Sequence, residues 1–275
     1  ARFRQVGSRT PGHPEYGHTD GVETTTGPLG QGIATAIGMA IAERMAAARF
    51  NVVGSEPVVD HRTWVFCGDG DLEEGISHEA CSLAGHLKLD KFVLFYDSNG
   101  ITIEGHTDLA LSDDAKKRFQ AYNWHVLEID GHDFDQIDRA IRKATKLTGK
   151  PVLIICKTHI GKGSPNKQDS HEAHGAPLGE EEVKLTKTAL GFDPEKAFYV
   201  PQEVTTLFQE RASKTKRMQG KWKRVFKEWA KANPGLAETW KAMPWRRSFT
   251  KVMQQLAWQL CWRSLPITAT VLLQR

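Results

Sequence analysis

The sequence predicts a doubly wound α/β domain, a mostly parallel sheet with helices on both faces, followed by a helical linker. Three observations lead there. The apolar runs Thr63-Trp64-Val65-Phe66-Cys67, Phe92-Val93-Leu94-Phe95-Tyr96 and Pro151 to Cys156 have the length and composition of strands buried on both faces. Segments of helical periodicity separate such runs, the alternation expected of βαβ units. Polar turns, Gly68-Asp69-Gly70 and Asp97-Ser98-Asn99-Gly100, directly follow the first two runs. In open α/β sheets, ligands bind at those strand ends.

Taken in order, residues 1–32 are rich in Gly, Thr and Pro and read as loop. Ile33 to about Phe50 reads as a helix whose small residues Ala34, Ala36, Gly38, Ala40 and Ala42 let neighbouring backbones come close. Residues 51–62 read as a polar connection. Between the first two strands, one crossover helix is expected from Leu72 or Glu73 to about Lys88. A right-handed βαβ unit of this size brings both strand ends to one edge of the sheet. Asp113 to Tyr122 reads as a short helix and Trp124 to Ile129 as a strand. Asp133 to Leu147 has helical periodicity, with Phe134, Ile137 and Ile141 on one face. The strand ending at Cys156 completes the sheet, and beyond about Glu180 the chain is helical and strongly charged.

That topology sets Asp69 and Asn99 facing one another across the sheet edge. A carboxylate and an amide oxygen are hard ligands, suited to Mg²⁺ or Ca²⁺ that also holds phosphate oxygens. Gly70 has no side chain to block a phosphate, and the first amides of the following helix would point at the anion. Each half alone has a plainer reading. Gly-Asp-Gly is a common turn, and Asn99-Gly100 before Ile101-Thr102-Ile103 fits a hairpin. Both halves together, each behind its own strand, favour a metal-diphosphate site. The long loop 159–179 is a second functional candidate. Its Gly161-Lys162-Gly163-Ser164 lacks the spacing of a phosphate loop. His171 and His174 are too few for a metal site, and on their own these two and His13 read as loop residues.

Further motifs surround this pair. They are Thr10-Pro11-Gly12-His13-Pro14-Glu15, Gly21 through Gly32, Glu74-Gly75-Ile76-Ser77-His78-Glu79-Ala80, Gly161 through Lys167 and His174-Gly175-Ala176-Pro177-Leu178-Gly179. Together they resemble the transketolase family of thiamine diphosphate-dependent enzymes, over roughly residues 2 to 243. The resemblance implies thiamine diphosphate and Mg²⁺ (or Ca²⁺) as cofactors. It implies metal ligation by the side chains of Asp69 and Asn99 and the carbonyl of Ile101, with Gly70 and Asn99 at the diphosphate. Gly27, Pro28 and Leu29 would line the aminopyrimidine or thiazolium part. His174 would reach both diphosphate and substrate. His13 would contact the sugar near its reacting carbonyl, where an imidazole can donate to a developing alkoxide or shuttle a proton. The implied activity is transfer of a two-carbon ketol unit from a ketose phosphate to an aldose phosphate. Glu74 would lie near a subunit interface in that family, and an ordinary acid in a first helical turn is an equal reading.

The chain also departs from the family. An earlier segment with further histidines and the pyrimidine-binding domain fall outside it, so about half a site is expected. A homo-oligomer, or a partner chain carrying the pyrimidine-binding domain, would supply the rest. The alternative is an inactive, truncated remnant that keeps the fold and weak cofactor binding. Expected domains are a diphosphate domain over 1–180, a helical linker over 181–243 and an atypical tail over 244–275. Trp245 to Arg275 contains no Asp or Glu. A shifted reading frame accounts for that tail better than an amphipathic basic helix. Asp71 and Glu73 add negative charge beside the diphosphate position, with Lys162 available to offset it.

Composition narrows the partners. With 275 residues and 40% hydrophobic content, the chain can bury a substantial core. A net charge of +4 does not call for nucleic acid. The basic stretch Lys214 to Lys231, interleaved with Trp222, Phe226 and Trp229, reads as a helix that buries its aromatics and solvates its lysines. Neither nucleic acid nor a membrane is expected as a partner. Cys67, Cys81, Cys156 and Cys261 lack metal-ligand spacing, and without a signal peptide a reducing cytoplasm is expected.

Overall fold

The structure is a computed structural model that describes residues 2–13, 15–19, 21–22, 24–243 and 271–274. The chain enters through an irregular segment and forms α1 (Gln31–Phe50), β1 (Arg62–Cys67), α2 (Asp69–Glu73), α3 (Gly75–His86) and β2 (Phe92–Ser98). A small hairpin of β3 (Ile101–Thr102) and β4 (Gly105–His106) follows. Next come α4 (Ala115–Ala121), β5 (His125–Asp130), α5 (Phe134–Ala144) and β6 (Val152–Lys157). Helices α6 (Glu180–Ala189), α7 (Gln202–Ala232) and α8 (Pro234–Ala242) precede β7 (Val271–Gln274).

The sheet runs β5-β6-β2-β1-β7. Its first four strands are parallel, in a register that sets Thr63 beside Phe92, Val93 beside Val152 and His125 beside Val152. Strand β7 lies antiparallel to β1. The period-2 alternation of each strand feeds two cores. Val65, Cys67, Leu94, Leu153 and Ile155 pack against Ile33, Ile37, Cys81, Ala84 and Phe119 from α1, α3 and α4. Trp64, Val93, Phe95, Val152 and Ile154 pack on the opposite face against Ala140 and Ala144 of α5. Helices therefore cover both faces, as the apolar runs predict.

A third cluster joins α7 and α8 to the end of α1. Trp229 and Trp240 close over Phe50, Val58 and Val59, and the Trp229 indole donates to the Phe50 carbonyl at 2.9 Å. Trp229 is thus core, Phe226 packs half-buried against it, and the half-buried Trp222 donates to the Val58 carbonyl at 3.0 Å, while Lys221 stays exposed and pairs with Glu56 at 2.8 Å. No described helix is long and apolar enough to cross a membrane.

Four expectations need correction. Two helices, not one, cross between β1 and β2, because Glu74 takes extended backbone (ψ 135) and breaks the run. The break also puts Glu74 between helices rather than one turn into one. On α5, Phe134 is 86% exposed, and the buried positions are Ala140 and Ala144. Burial on this helix falls on its later turns. Residues 51–62 are not uniformly polar surface, since Val58 and Val59 are buried and the Asn51 side chain holds both their amides at 3.0 Å. The tail 244–275 lies outside the described residues apart from the four residues of β7.

Candidate functional site at the strand ends

Strands β1 and β2 are adjacent and parallel, so the turns after them emerge side by side. Asp69 is only 6% exposed. One of its carboxylate oxygens accepts from the backbone N–H of Gly100 at 3.1 Å, the other from the Tyr96 hydroxyl. The turn carrying Asn99 is therefore tied directly to Asp69. Asn99 Oδ1 accepts from the Ile101 amide at 3.0 Å, a local turn that fixes the side chain beside the hairpin. The β-hairpin does form, but its turn is at residues 103–104 rather than at Asn99-Gly100.

Burial pushes the Asp69 carboxyl upward, against the pull of the Tyr96 hydroxyl and the Gly100 and Asn99 amides. Burial likewise raises Tyr96, which stays protonated and donating. Asp97 is raised by burial too, and the Thr158 hydroxyl donates to it. Among the described residues Asp69 has hydrogen-bond donors but no ion pair. A buried carboxylate in that condition suits a cation. The carboxylate, amide and carbonyl oxygens of Asp69, Asn99 and Ile101 are hard donors of the kind Mg²⁺ or Ca²⁺ takes.

The Gly27-Pro28-Leu29 turn comes next to this pair. Gly27 has φ +148, and a Cβ there would lie 2.9 Å from the His13 ring. His13 and Gly27 are thus packed together, with His13, Pro28 and Leu29 exposed. A Cβ on Gly70 would lie 3.2 Å from Leu29 Cδ1, so the two glycine turns touch. His174 stands exposed at the end of a short 3-10 turn over His171–Ala173. No described hydrogen bond or ring contact joins it to His13, Asp69 or Asn99.

Two features differ from the sequence reading. The helix behind Gly-Asp-Gly begins at Asp69 and has 5 residues. It sums few peptide dipoles, so the long-helix N-terminus expected at the diphosphate is absent there. Asp71 is not free charge beside the diphosphate position: its two oxygens accept from Gly30 N and Gly68 N, each at 2.9 Å. Sequence reasoning missed Tyr96 as a brace. The signal was its place opposite Cys67, two residues before Asp69.

The first half of the loop 159–179 is anchored at two places. Glu182 of α6 accepts from the Ser164 hydroxyl and, at 2.9 and 2.8 Å, from the amide and side chain of Asn166. Those bonds hold its carboxyl below the usual range. At the start of the loop, His132 Nε2 accepts from the His159 amide at 3.0 Å and the two rings stack.

Only a neutral imidazole can accept that bond. Burial, then Lys162 and His159, push the His132 pKa below its ordinary value. The folded state thus binds fewer protons there than the unfolded one, and stability falls as pH drops through about 6.5. His132→Gln keeps an acceptor and does not titrate. Melting temperatures from pH 7.5 to 5.5, read by circular dichroism, should fall less steeply for His132→Gln than for the parent. Parallel slopes would remove His132 from the acid sensitivity.

The family model described as "Transketolase, thiamine diphosphate binding domain" matches residues 1–246. The chain belongs to this family. Transketolase 2 of Escherichia coli K12 is 56% identical over 237 residues, covering 86% of this chain and 35% of that protein. Transketolase 2 of Xanthobacter flavus is 53% identical, covering 86% and 34%. Among solved structures, a transketolase from Leishmania mexicana matches with TM-score 0.84 and 45% identity, covering 87% of this chain and 36% of the other. A Pichia stipitis transketolase, solved in complex with sedoheptulose 7-phosphate, matches with TM-score 0.85 and 43% identity, covering 90% and 36%. The chain thus spans about a third of the length of these transketolases, and the α/β fold is the one their domain adopts.

Proposed function

We propose that this chain supplies the diphosphate- and metal-holding half of a transketolase site, for ketol transfer from a ketose phosphate to an aldose phosphate. The pyrimidine-holding half comes from another domain, on a second copy or a partner chain. The observation that carries this reading is the buried Asp69 carboxylate, without an ion pair among the described residues, tied to the Asn99 turn through Gly100. Thiamine diphosphate, when bound, contributes the nucleophilic carbon and the electron sink. The residues of this chain hold and orient.

Asp69, Asn99 and the Ile101 carbonyl would hold Mg²⁺, which would neutralise the charge of the diphosphate. Gly70 and Asn99 receive the diphosphate. Gly27, Pro28 and Leu29 face the heterocycle, and the exposed Leu29 gains an apolar partner there. His13, packed on Gly27, presents its imidazole at the sugar carbonyl and donates to the oxygen as charge develops. His174 contacts the diphosphate and the substrate. Fixing the diphosphate end anchors the reacting end, which is how a binding residue far from the bond being cleaved aids the rate.

Mixing the chain with a second chain that carries a transketolase pyrimidine-binding domain tests this. Ketose-aldose exchange should appear only in the mixture, require Mg²⁺ and thiamine diphosphate, and vanish with Asp69→Ala. No exchange with a partner proven to complement another diphosphate-binding chain would overturn the reading.

A further inference from the structure

Asp71 has both carboxylate oxygens committed to backbone amides. The bond from Gly68 N is local and caps α2. The bond from Gly30 N is not local, spanning 41 residues. Gly30 is the N-cap of α1 at φ +74, has no side chain with which to cap, and receives this acceptor from another helix. The surroundings are closed. A Cβ on Gly30 would lie 2.9 Å from Ile76 Cγ2 and Ser77 Oγ and 3.0 Å from Glu74 Cβ. The Ser77 hydroxyl in turn donates to the Asp71 carbonyl. The starts of α1, α2 and α3 therefore meet at one residue, Asp71, which is 4% exposed: α1 and α2 through its carboxylate and α3 through its carbonyl.

We propose that Asp71 is a positioning residue that fixes the Gly27–Gly30 turn against the Gly68–Gly70 turn, so that the heterocycle half and the diphosphate half of the cofactor site keep one spacing. This rests on the cofactor reading above. Asp71 is 4% exposed and both its oxygens are aimed at the backbone amides of Gly30 and Gly68, so its role is to hold these turns rather than to meet ion or cofactor. Its effect passes through Gly30 to the adjoining Leu29, whose side chain lies against Gly70. Without the tie, Gly30 N–H is an unpaired buried donor and its turn is free to shift. Of the two acids that the sequence sets beside Gly70, this one organises the site rather than repelling its ligand.

The test is a calorimetric titration of the 275-residue chain in Mg²⁺ with thiamine diphosphate and, separately, with inorganic pyrophosphate. Pyrophosphate uses only the Gly70-Asn99 half. Asp71→Asn keeps the shape and one acceptor but presents N–H to the other amide. The parent should prefer thiamine diphosphate by about tenfold or more, about 1.4 kcal/mol. In Asp71→Asn that preference should fall to about threefold or less, with pyrophosphate affinity held within about twofold. A variant that keeps the full preference overturns the proposal. So does one that loses both ligands in proportion, which would mark Asp71 as general support. If the parent binds neither ligand, the cofactor reading itself fails. Should Asp71→Asn not fold, amide exchange of the parent decides: Gly30 N–H must be protected as strongly as Gly68 N–H, and exchange at a free-loop rate denies the tie.

Discussion

Asp69→Asn should abolish the stabilisation of this chain by Mg²⁺ and thiamine diphosphate expected under the proposed function, without lowering the melting temperature of the chain alone. The two halves of that result come from one burial. With ligand at 100-fold over its dissociation constant, the parent gains about 2.7 kcal/mol, or several degrees at this size. Replacing the carboxylate by a neutral amide removes the charge that the ion meets, so the gain disappears. The chain alone behaves oppositely. Burial raises the Asp69 carboxyl, so the folded state disfavours the ionised form. A raised carboxyl adds stability at pH values below its ordinary range and loses it as pH rises through the folded value. At pH 7 the charge is a net cost, which Asn does not carry. The Tyr96 hydroxyl can accept from the new amide, and Gly100 N–H still finds an oxygen. Differential scanning fluorimetry with and without ligand at pH 7, repeated toward pH 4, reads both effects. The parent should gain on the variant as pH falls. A variant still stabilised by ligand would remove Asp69 from the metal site.

Gly85→Ala unfolds the chain or costs more than about 4 kcal/mol, the range kept for backbone clashes and broken cores. Helix propensity alone favours the change by about 1 kcal/mol, since Gly85 lies inside α3. The surroundings decide otherwise. A Cβ at Gly85 would lie 1.7 Å from the Tyr122 carbonyl oxygen and 3.1 Å from the Trp124 ring. A backbone atom cannot swing aside. The whole turn from α4 into β5 would have to move, and with it the Trp124 indole that donates to the Cys81 carbonyl at 2.9 Å and packs edge-on to Phe119 and Phe92. Urea unfolding followed by tryptophan fluorescence measures the loss. A neutral or stabilising Gly85→Ala would contradict the close approach of α3 to this turn.

The fold was legible where local chemistry carries it. Val65, Leu94 and Ile154 belong to apolar runs because their strands are covered on both faces. Asp69 and Asn99 could be paired because strand ends of a parallel unit share one edge. Other features are set by contacts distant in sequence. The break at Glu74 leaves no proline behind it, and where the helix restarts, Ile76 and Ser77 pack close against Gly30, remote in the chain. Phe134 keeps helical spacing with Ile137 and Ile141, but periodicity names a face and not which turns of it are covered. Asp71 reads as an unwelcome charge until Gly30, far back in the chain, is seen to need an acceptor. Tyr96 reads as one more strand aromatic until its hydroxyl meets Asp69.

Electron paramagnetic resonance of the chain loaded with Mn²⁺ in place of Mg²⁺, with thiamine diphosphate, tests the shared ion most directly. Bound Mn²⁺ should show phosphorus hyperfine coupling from the diphosphate, and both bound signal and coupling should be lost in Asp69→Asn and in Asn99→Leu. Mn²⁺ that binds without phosphorus coupling, or a signal indifferent to both substitutions, would contradict one divalent ion held jointly by these two turns and the diphosphate.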